Sequence, residues 1–151
     1  MIYVGIIGAG SCDPETFKLA EEVGYKIGEA GWFLVCGGLG GVMEAASKGC
    51  VEAGGITIGI LPGRSRSDAN PYIKVAIPTG LGEGRNILVV RASDILIAIS
   101  GGYGTLSEIG FALKTGKPVL GLKTWEGIKG IHYLSATKEL VEDILKILNR
   151  Q

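Results

Sequence analysis

The sequence is short of histidine, of patterned cysteine and of net charge, and each shortage removes a class of function. His132 is the only histidine, so no histidine-based metal site is expected within one chain. Cys12, Cys36 and Cys50 are odd in number and match no zinc or redox spacing, which leaves them as reduced, partly buried thiols. Lys+Arg and Asp+Glu stand at 15 each, and such a balance gives neither nucleic acid nor a membrane surface a broad patch to bind. No apolar run approaches the ~20 residues that cross a bilayer. Met1 leads into "IYVGII" without the basic region or cleavage site of a signal peptide; the expected location is cytoplasmic. A P-loop is missing too, because no Gly-Lys-Ser/Thr follows a glycine turn.

Glycine is what the chain has in excess: 26 of 151 residues, about 17% against a usual ~7%. No collagen-like period or low-complexity tract accounts for it. The glycines fall between apolar strands and helices, where backbone turns sharply or approaches something closely. Strand-like runs occur at Ile2 to Ile7, Trp32 to Cys36, Ile56 to Leu61, Ile73 to Ile77, Asp94 to Ile99 and Pro118 to Leu122. Their continuous apolar character is that of parallel strands covered on both faces. Between them lie helical patterns: one capped by Asp13-Pro14 and stopped by Gly31, one over Val42 to Ala53, one holding Arg85 and Arg91, and one over Thr105 to Thr115. A last helix near Ala136 to Asn149 carries Leu140, Ile144, Leu145 and Leu148 as its apolar stripe. Pro62 to Tyr72 reads as a polar, mobile loop.

Alternating strand and helix predicts an α/β chain of one domain over residues 1–151, a Rossmann-like doubly wound parallel sheet between two helical layers. Ligands in such folds bind beyond the carboxyl ends of the strands, where strand order reverses. Three glycine turns follow strands and so share that edge: Gly8 to Gly10 with Ser11, Gly37 to Gly41, and Gly101 to Gly104. The first is an incomplete dinucleotide fingerprint, with Asp13 at its last position and no acidic residue closing the second strand. It is either a bare turn or a cradle for an anion at a helix start. The second, with Gly37, Gly38 and Gly41, serves either helix–sheet packing or ligand approach.

"SGGYGTLSE" (Ser100 to Glu108) carries the strongest signal. Gly101, Gly102 and Gly104 allow a concave nest of amides, and Thr105 is placed to bond free N–H groups or a ligand oxygen. Glu108 is either a first-turn carboxylate favouring the helix dipole or a working group beside the cradle. Arg85 and Arg91 offer planar forks for phosphate or carboxylate, although Arg91 read alone is also an ordinary surface arginine. Glu83 falls in the first turn of the helix holding Arg85.

With these residues on one edge, the chain resembles the cytokinin riboside 5′-monophosphate phosphoribohydrolases, the "lonely guy" family once labelled lysine decarboxylases. The family signature is P-G-G-x-G-T-x-x-E, with an arginine 23 residues before the glutamate, and Arg85 and Glu108 occupy that pair. The resemblance runs over residues 2 to 122. Two departures, Asn86 for the usual lysine and Ser100 for proline, are more like a branch that includes molybdenum-cofactor carrier proteins. The resemblance implies two functions. One is hydrolysis of the N-glycosidic bond of a nucleoside 5′-monophosphate, with Glu108 and Arg85 catalytic and Arg85 holding Glu108 ionised. The other is binding of a phosphorylated pterin without chemistry. Neither calls for a metal or a resident cofactor, since amides hold the phosphate. A dehydrogenase is the weakest reading. The resemblance also implies a homo-oligomer, dimer or tetramer.

Overall fold

The computed structural model describes residues 1–149. Seven parallel strands form one sheet in the order β4-β3-β2-β1-β5-β6-β7: β1 (Tyr3–Gly8), β2 (Phe33–Cys36), β3 (Ile56–Leu61), β4 (Val75–Pro78), β5 (Ile95–Ile99), β6 (Val119–Leu122) and β7 (Ile131–Tyr133). The chain builds outward from β1 to β4, then returns to the other side of β1 with β5. The order therefore reverses between β1 and β5, and the glycine turns after those strands face one another across the switch point.

The helices are α1 (Pro14–Glu29), α2 (Val42–Glu52), α3 (Arg85–Ala92), α4 (Tyr103–Lys114) and α5 (Leu140–Leu148). One face of the sheet packs Val4, Ile6, Leu34, Ile97 and Ile99 against α1, α2 and α5. The other packs Ile7, Val35, Leu96 and Ala98 against Val89 and Val90 of α3 and Ile109 and Ala112 of α4. Both faces of β1 and β5 are thus buried, as continuous apolar strands require. Asp13 caps α1 by accepting from Thr16 N–H at 2.7 Å, which holds its carboxyl below the ordinary range. Among the described residues no helix is long and apolar enough to cross a membrane.

Helices α1 and α2 meet at very short range. A Cβ on Gly24 would run into the backbone of Ala46, and one on Gly49 into the backbone of Glu21. The contact buries Ala20, Val23, Ala45 and Cys50 completely, so the small residues of α2 are used here for close helix packing.

Several expected boundaries shift. The edge strand starts at Val75, not Ile73, because Asn70 turns the chain first by accepting from Tyr72 N–H at 3.0 Å. Helix α4 starts at Tyr103, two residues before Thr105. Strand β7 was not expected: three residues after Gly130 carry too short a pattern. Helix α5 begins at Leu140, and its buried stripe is Leu140, Ile144 and Ile147, while Leu145 is exposed. Of the expected Ala136 to Asn149 span, the first four residues form turns and loop.

Candidate functional site

Arg85 is the first residue of α3, on the sheet face opposite α1 and α2. Its guanidinium crosses to the second glycine turn, where a Cβ on Gly37 would fall on top of Nη1. Glycine at 37 is what makes room for this side chain. Arg85 is only 9% exposed, and its Nε has no hydrogen-bond partner. A buried charged donor without a partner is costly unless something supplies an acceptor. Burial pushes the guanidinium below its ordinary pKa, and nearby Glu108 pushes it back up; an arginine nevertheless keeps its charge at neutral pH.

Glu108 is also 9% exposed. Because α4 begins at Tyr103, the carboxylate lies in the second turn, and the first turn holds no acidic residue. The dipole-stabilising role expected for a first-turn carboxylate is therefore overturned, as that effect fades within one turn. Burial raises the carboxyl to about 7, with Arg85 pulling in the opposite direction. Arg85 thus acts in the expected direction, favouring the ionised form, but desolvation outweighs it and the net shift is upward. None of the three ion pairs among the described residues includes either group. Cys36, buried behind them, has its thiol pushed up by burial, an effect partly offset by the Gly38 N–H donating to Sγ at 3.3 Å.

Two cavities meet at Glu108, and Arg85 lines one of them. The inner one, about 210 Å³, is lined by Gly8, Gly10, Gly37, Gly102, Gly104 and Thr105 together with Arg85 and Glu108. The first, second and third glycine turns thus contribute to one cleft. A Cβ on Gly10, Gly102 or Gly104 would meet open space, so here the backbone itself is the wall. Gly102, Gly104 and Thr105 bring to this cleft the start of α4, where the first N–H groups of a helix have no partner within it. The outer cavity, about 510 Å³, adds Glu83, Ile87, Tyr103, Ser107 and Phe111. Asn86, Gly104 and Glu108 line both.

Other expected site residues lie elsewhere. Gly38 packs on Leu61 and Gly59, and Gly41 packs against Ala9 to Ser11; Ser11 is exposed outside both linings. These positions close the loops upon one another instead of facing the cleft. Gly101 lies against the Thr105 side chain, which makes no capping bond because α4 starts earlier. Arg91 sits in the last turn of α3, its guanidinium 5.5 Å from the Phe111 ring centroid, outside both cavities. A six-residue offset on a helix carries it away from Arg85. Glu83 belongs to a 3₁₀ turn over Gly82–Gly84 before α3, not to its first turn.

The structure adds residues that spacing alone did not single out. Met43 lines the inner cavity from α2. Asn70, 9% exposed, donates to Leu39 O at 2.8 Å, and its own N–H donates to Gly38 O at 2.9 Å. The Pro62 to Tyr72 loop is thereby fastened to the second glycine turn at its far end. Its Asn-Pro pair was the available signal. Ser100 takes φ +57° and its N–H donates to Leu122 O at 3.3 Å. Proline, with φ fixed near −65° and no N–H, cannot occupy that conformation.

Comparison with known proteins agrees with this architecture. An uncharacterised protein of Archaeoglobus fulgidus is 45% identical over 141 residues, covering 93% of each chain. The cytokinin riboside 5′-monophosphate phosphoribohydrolase of Mycobacterium tuberculosis is 32% identical over 78% of this chain and 67% of its own. Among solved structures, the molybdenum cofactor binding protein of Rippkaea orientalis superposes with a TM-score of 0.91 at 36% identity, covering 97% of both chains. The family model described as SLOG cluster4 matches residues 1–147. The chain belongs to the SLOG cluster4 family.

Proposed function

We propose that the protein binds a phosphorylated pterin of the molybdenum-cofactor type at this cleft, as a carrier and without cleaving it. The observation that carries the reading is Arg85: a buried guanidinium with an unpartnered Nε beneath an amide-lined cavity. A phosphate tail brings a compensating negative charge to the part of the Arg85 side chain that lines the cavity, and the helix start supplies neutral donors for its oxygens. The likeness to a molybdenum cofactor binding protein over nearly the whole chain supports the pterin. So does Asn86, which lines both cavities where related hydrolases carry lysine. Burial raises the Glu108 carboxyl to about 7 against the pull of Arg85, which makes it a weak partner for a developing positive charge. A neutral carboxyl instead donates one hydrogen bond and accepts another, which suits a heterocycle edge.

The same pKa favours a second reading, N-glycosidic hydrolysis of a nucleoside 5′-monophosphate. A base poised near the working pH is efficient at deprotonating water. Water oxygen then bonds to the anomeric carbon as the bond to the base nitrogen breaks, its proton passing to Glu108 and the electron pair leaving with the base. Arg85 orients the phosphate end. Losing such a preorganised group costs ~10²–10³ in rate, so Glu108→Gln is expected to lower turnover by that factor and spare binding.

Two assays separate the readings. Denaturing freshly purified protein and oxidising the supernatant should release a fluorescent pterin with molybdenum. Chromatography after incubation with AMP should yield no adenine from wild type or Glu108→Gln. Adenine from wild type alone selects the hydrolase. The proposal includes a cytoplasmic, homo-oligomeric protein, dimer or tetramer, without nucleic-acid partners. Free Cys12, Cys36 and Cys50 fit a reducing compartment, and exposed Leu88 on α3, with Leu81 ahead of it, fits a covered face. Light scattering with size exclusion tests the assembly.

A further inference from the structure

The cradle loop is held by a segment beyond its own motif. Thr124 Oγ1 donates to Ser100 O at 2.9 Å, and Trp125 Nε1 donates to Gly102 O at 3.1 Å. A planar peptide points its C=O and the following N–H in opposite directions. Tying these carbonyls toward the 123–133 segment therefore turns the N–H groups of Gly101 and Tyr103 the other way. Tyr133 braces Trp125 in turn, its hydroxyl donating to Trp125 O and accepting from Ile128 N–H. Trp125 also backs a second ring: its centroid lies 5.8 Å from that of Tyr103 at a 34° tilt.

Tyr103 is 83% exposed, the most exposed of the chain's large hydrophobic side chains among the described residues. It opens α4 immediately after the cradle glycine and lines the outer cavity with Ile87 and Phe111. Trp125 is the aromatic neighbour at one edge of the ring, and most of the ring surface is open. The cavities divide by chemistry. The inner one is rich in glycine backbone and holds Arg85 beside Thr105 and Glu108, and its 210 Å³ falls below the ~300–1,000 Å³ of whole-ligand pockets. The outer one, at 510 Å³, lies within that range and joins it through Asn86, Gly104 and Glu108. Glu83, Asn86 and Ser107 supply acceptors and donors around its apolar walls.

We propose that the outer cavity is the subsite for the flat heteroaromatic ring of the ligand, and that Tyr103, backed by Trp125, is the face on which the ring stacks. The inference rests on the reading of the ligand as a phosphorylated heterocycle and assigns its two ends. The phosphate sits on the inner amides above Arg85, and the ring lies outward on Tyr103 with its edge toward Asn86 and Glu108. Trp125 acts as a positioning residue. It contacts the Gly102 carbonyl and the platform ring together.

Calorimetric titration with three probes tests this: ribose 5-phosphate, AMP and 6-hydroxymethylpterin phosphate. In the wild type both ring-bearing probes should bind tighter than ribose 5-phosphate. Tyr103→Ala should weaken one or both by about tenfold, the scale of one base–aromatic stack, and change ribose 5-phosphate by less than about twofold. Tyr103→Phe keeps the face and should restore ring-probe binding. Trp125 emission, isolated by Trp32→Phe, should respond to ring probes and not to ribose 5-phosphate. Equal weakening of all probes by Tyr103→Ala, or ring probes no tighter than ribose 5-phosphate, overturns the ring subsite while leaving the phosphate cradle intact. If none of the three binds, the phosphorylated-heterocycle reading falls and the subsite falls with it.

Discussion

Replacing Glu108 by glutamine should make the protein more stable, and the gain should depend on pH in a stated direction. The carboxyl rises from its ordinary 4.5 to about 7 on folding, so the native state holds a proton that the unfolded chain has released between those values. Stability contributed by the protonated form is complete below about 4.5 and is lost as pH rises through about 7. At 1.36 kcal/mol for each factor of ten in proton affinity, the loss is about 3 kcal/mol, an upper figure because the site relaxes and admits water. Glutamine has the same shape and no charge to desolvate. Relative to wild type it should gain about 3 kcal/mol between pH 4.5 and 8, which for a domain of this size is roughly 6–12 °C in Tm. Urea unfolding of both proteins at pH 5 and pH 8 measures this directly. Parallel pH profiles would show that the carboxylate stays ionised in the fold. A variant that becomes relatively less stable at pH 8 would mean that attraction to Arg85 outweighs burial, and the electrostatic account of the site would be wrong.

Gly37→Ala should displace the Arg85 guanidinium and weaken ribose 5-phosphate binding by about 10- to 100-fold, the worth of a charged hydrogen bond, with unchanged far-UV circular dichroism. Ser100→Pro should destabilise by ~2–4 kcal/mol, because the ring cannot take φ +57° and the bond to Leu122 O is lost; denaturant midpoints check it. Gly24→Ala should cost ~1–3 kcal/mol despite better helix propensity, since its Cβ meets Ala46 backbone and not a movable side chain. A stabilised Gly24→Ala variant would show that α1 and α2 are free to separate.

The architecture was legible because buried parallel strands leave a plain trace. "DILIAI" and "ITIGIL" have no polar alternation, and Asp13-Pro14 announces a helix start. Arg85 and Glu108 were legible as a pair through the motif and its spacing. What the sequence could not convey was the balance between burial and charge around Glu108, which depends on how deep α4 seats the side chain. A two-residue error in the start of α4 was enough to misassign Glu108 to the first turn. The loop glycines divided in a way composition cannot reveal: Gly10, Gly102 and Gly104 face open space, whereas Gly38 and Gly41 face other backbone. The place of Trp125 beside the cradle carries no signal in the sequence, because its bond to Gly102 O spans 23 residues and follows no local pattern.

Arg85 belongs to the layer containing α3 and α4, while Gly8, Gly10 and Gly37 are held by strands whose loops lead into α1 and α2. The cleft is therefore a gauge of how the two layers are seated on the sheet. A slip of α3 by a fraction of an ångström, of the kind a void at Val89 or Val90 would permit, moves the guanidinium relative to amides that do not follow. Affinity at the mouth would then report on packing at the far side of the helix, and residues that never approach a ligand would be under selection as alignment shims.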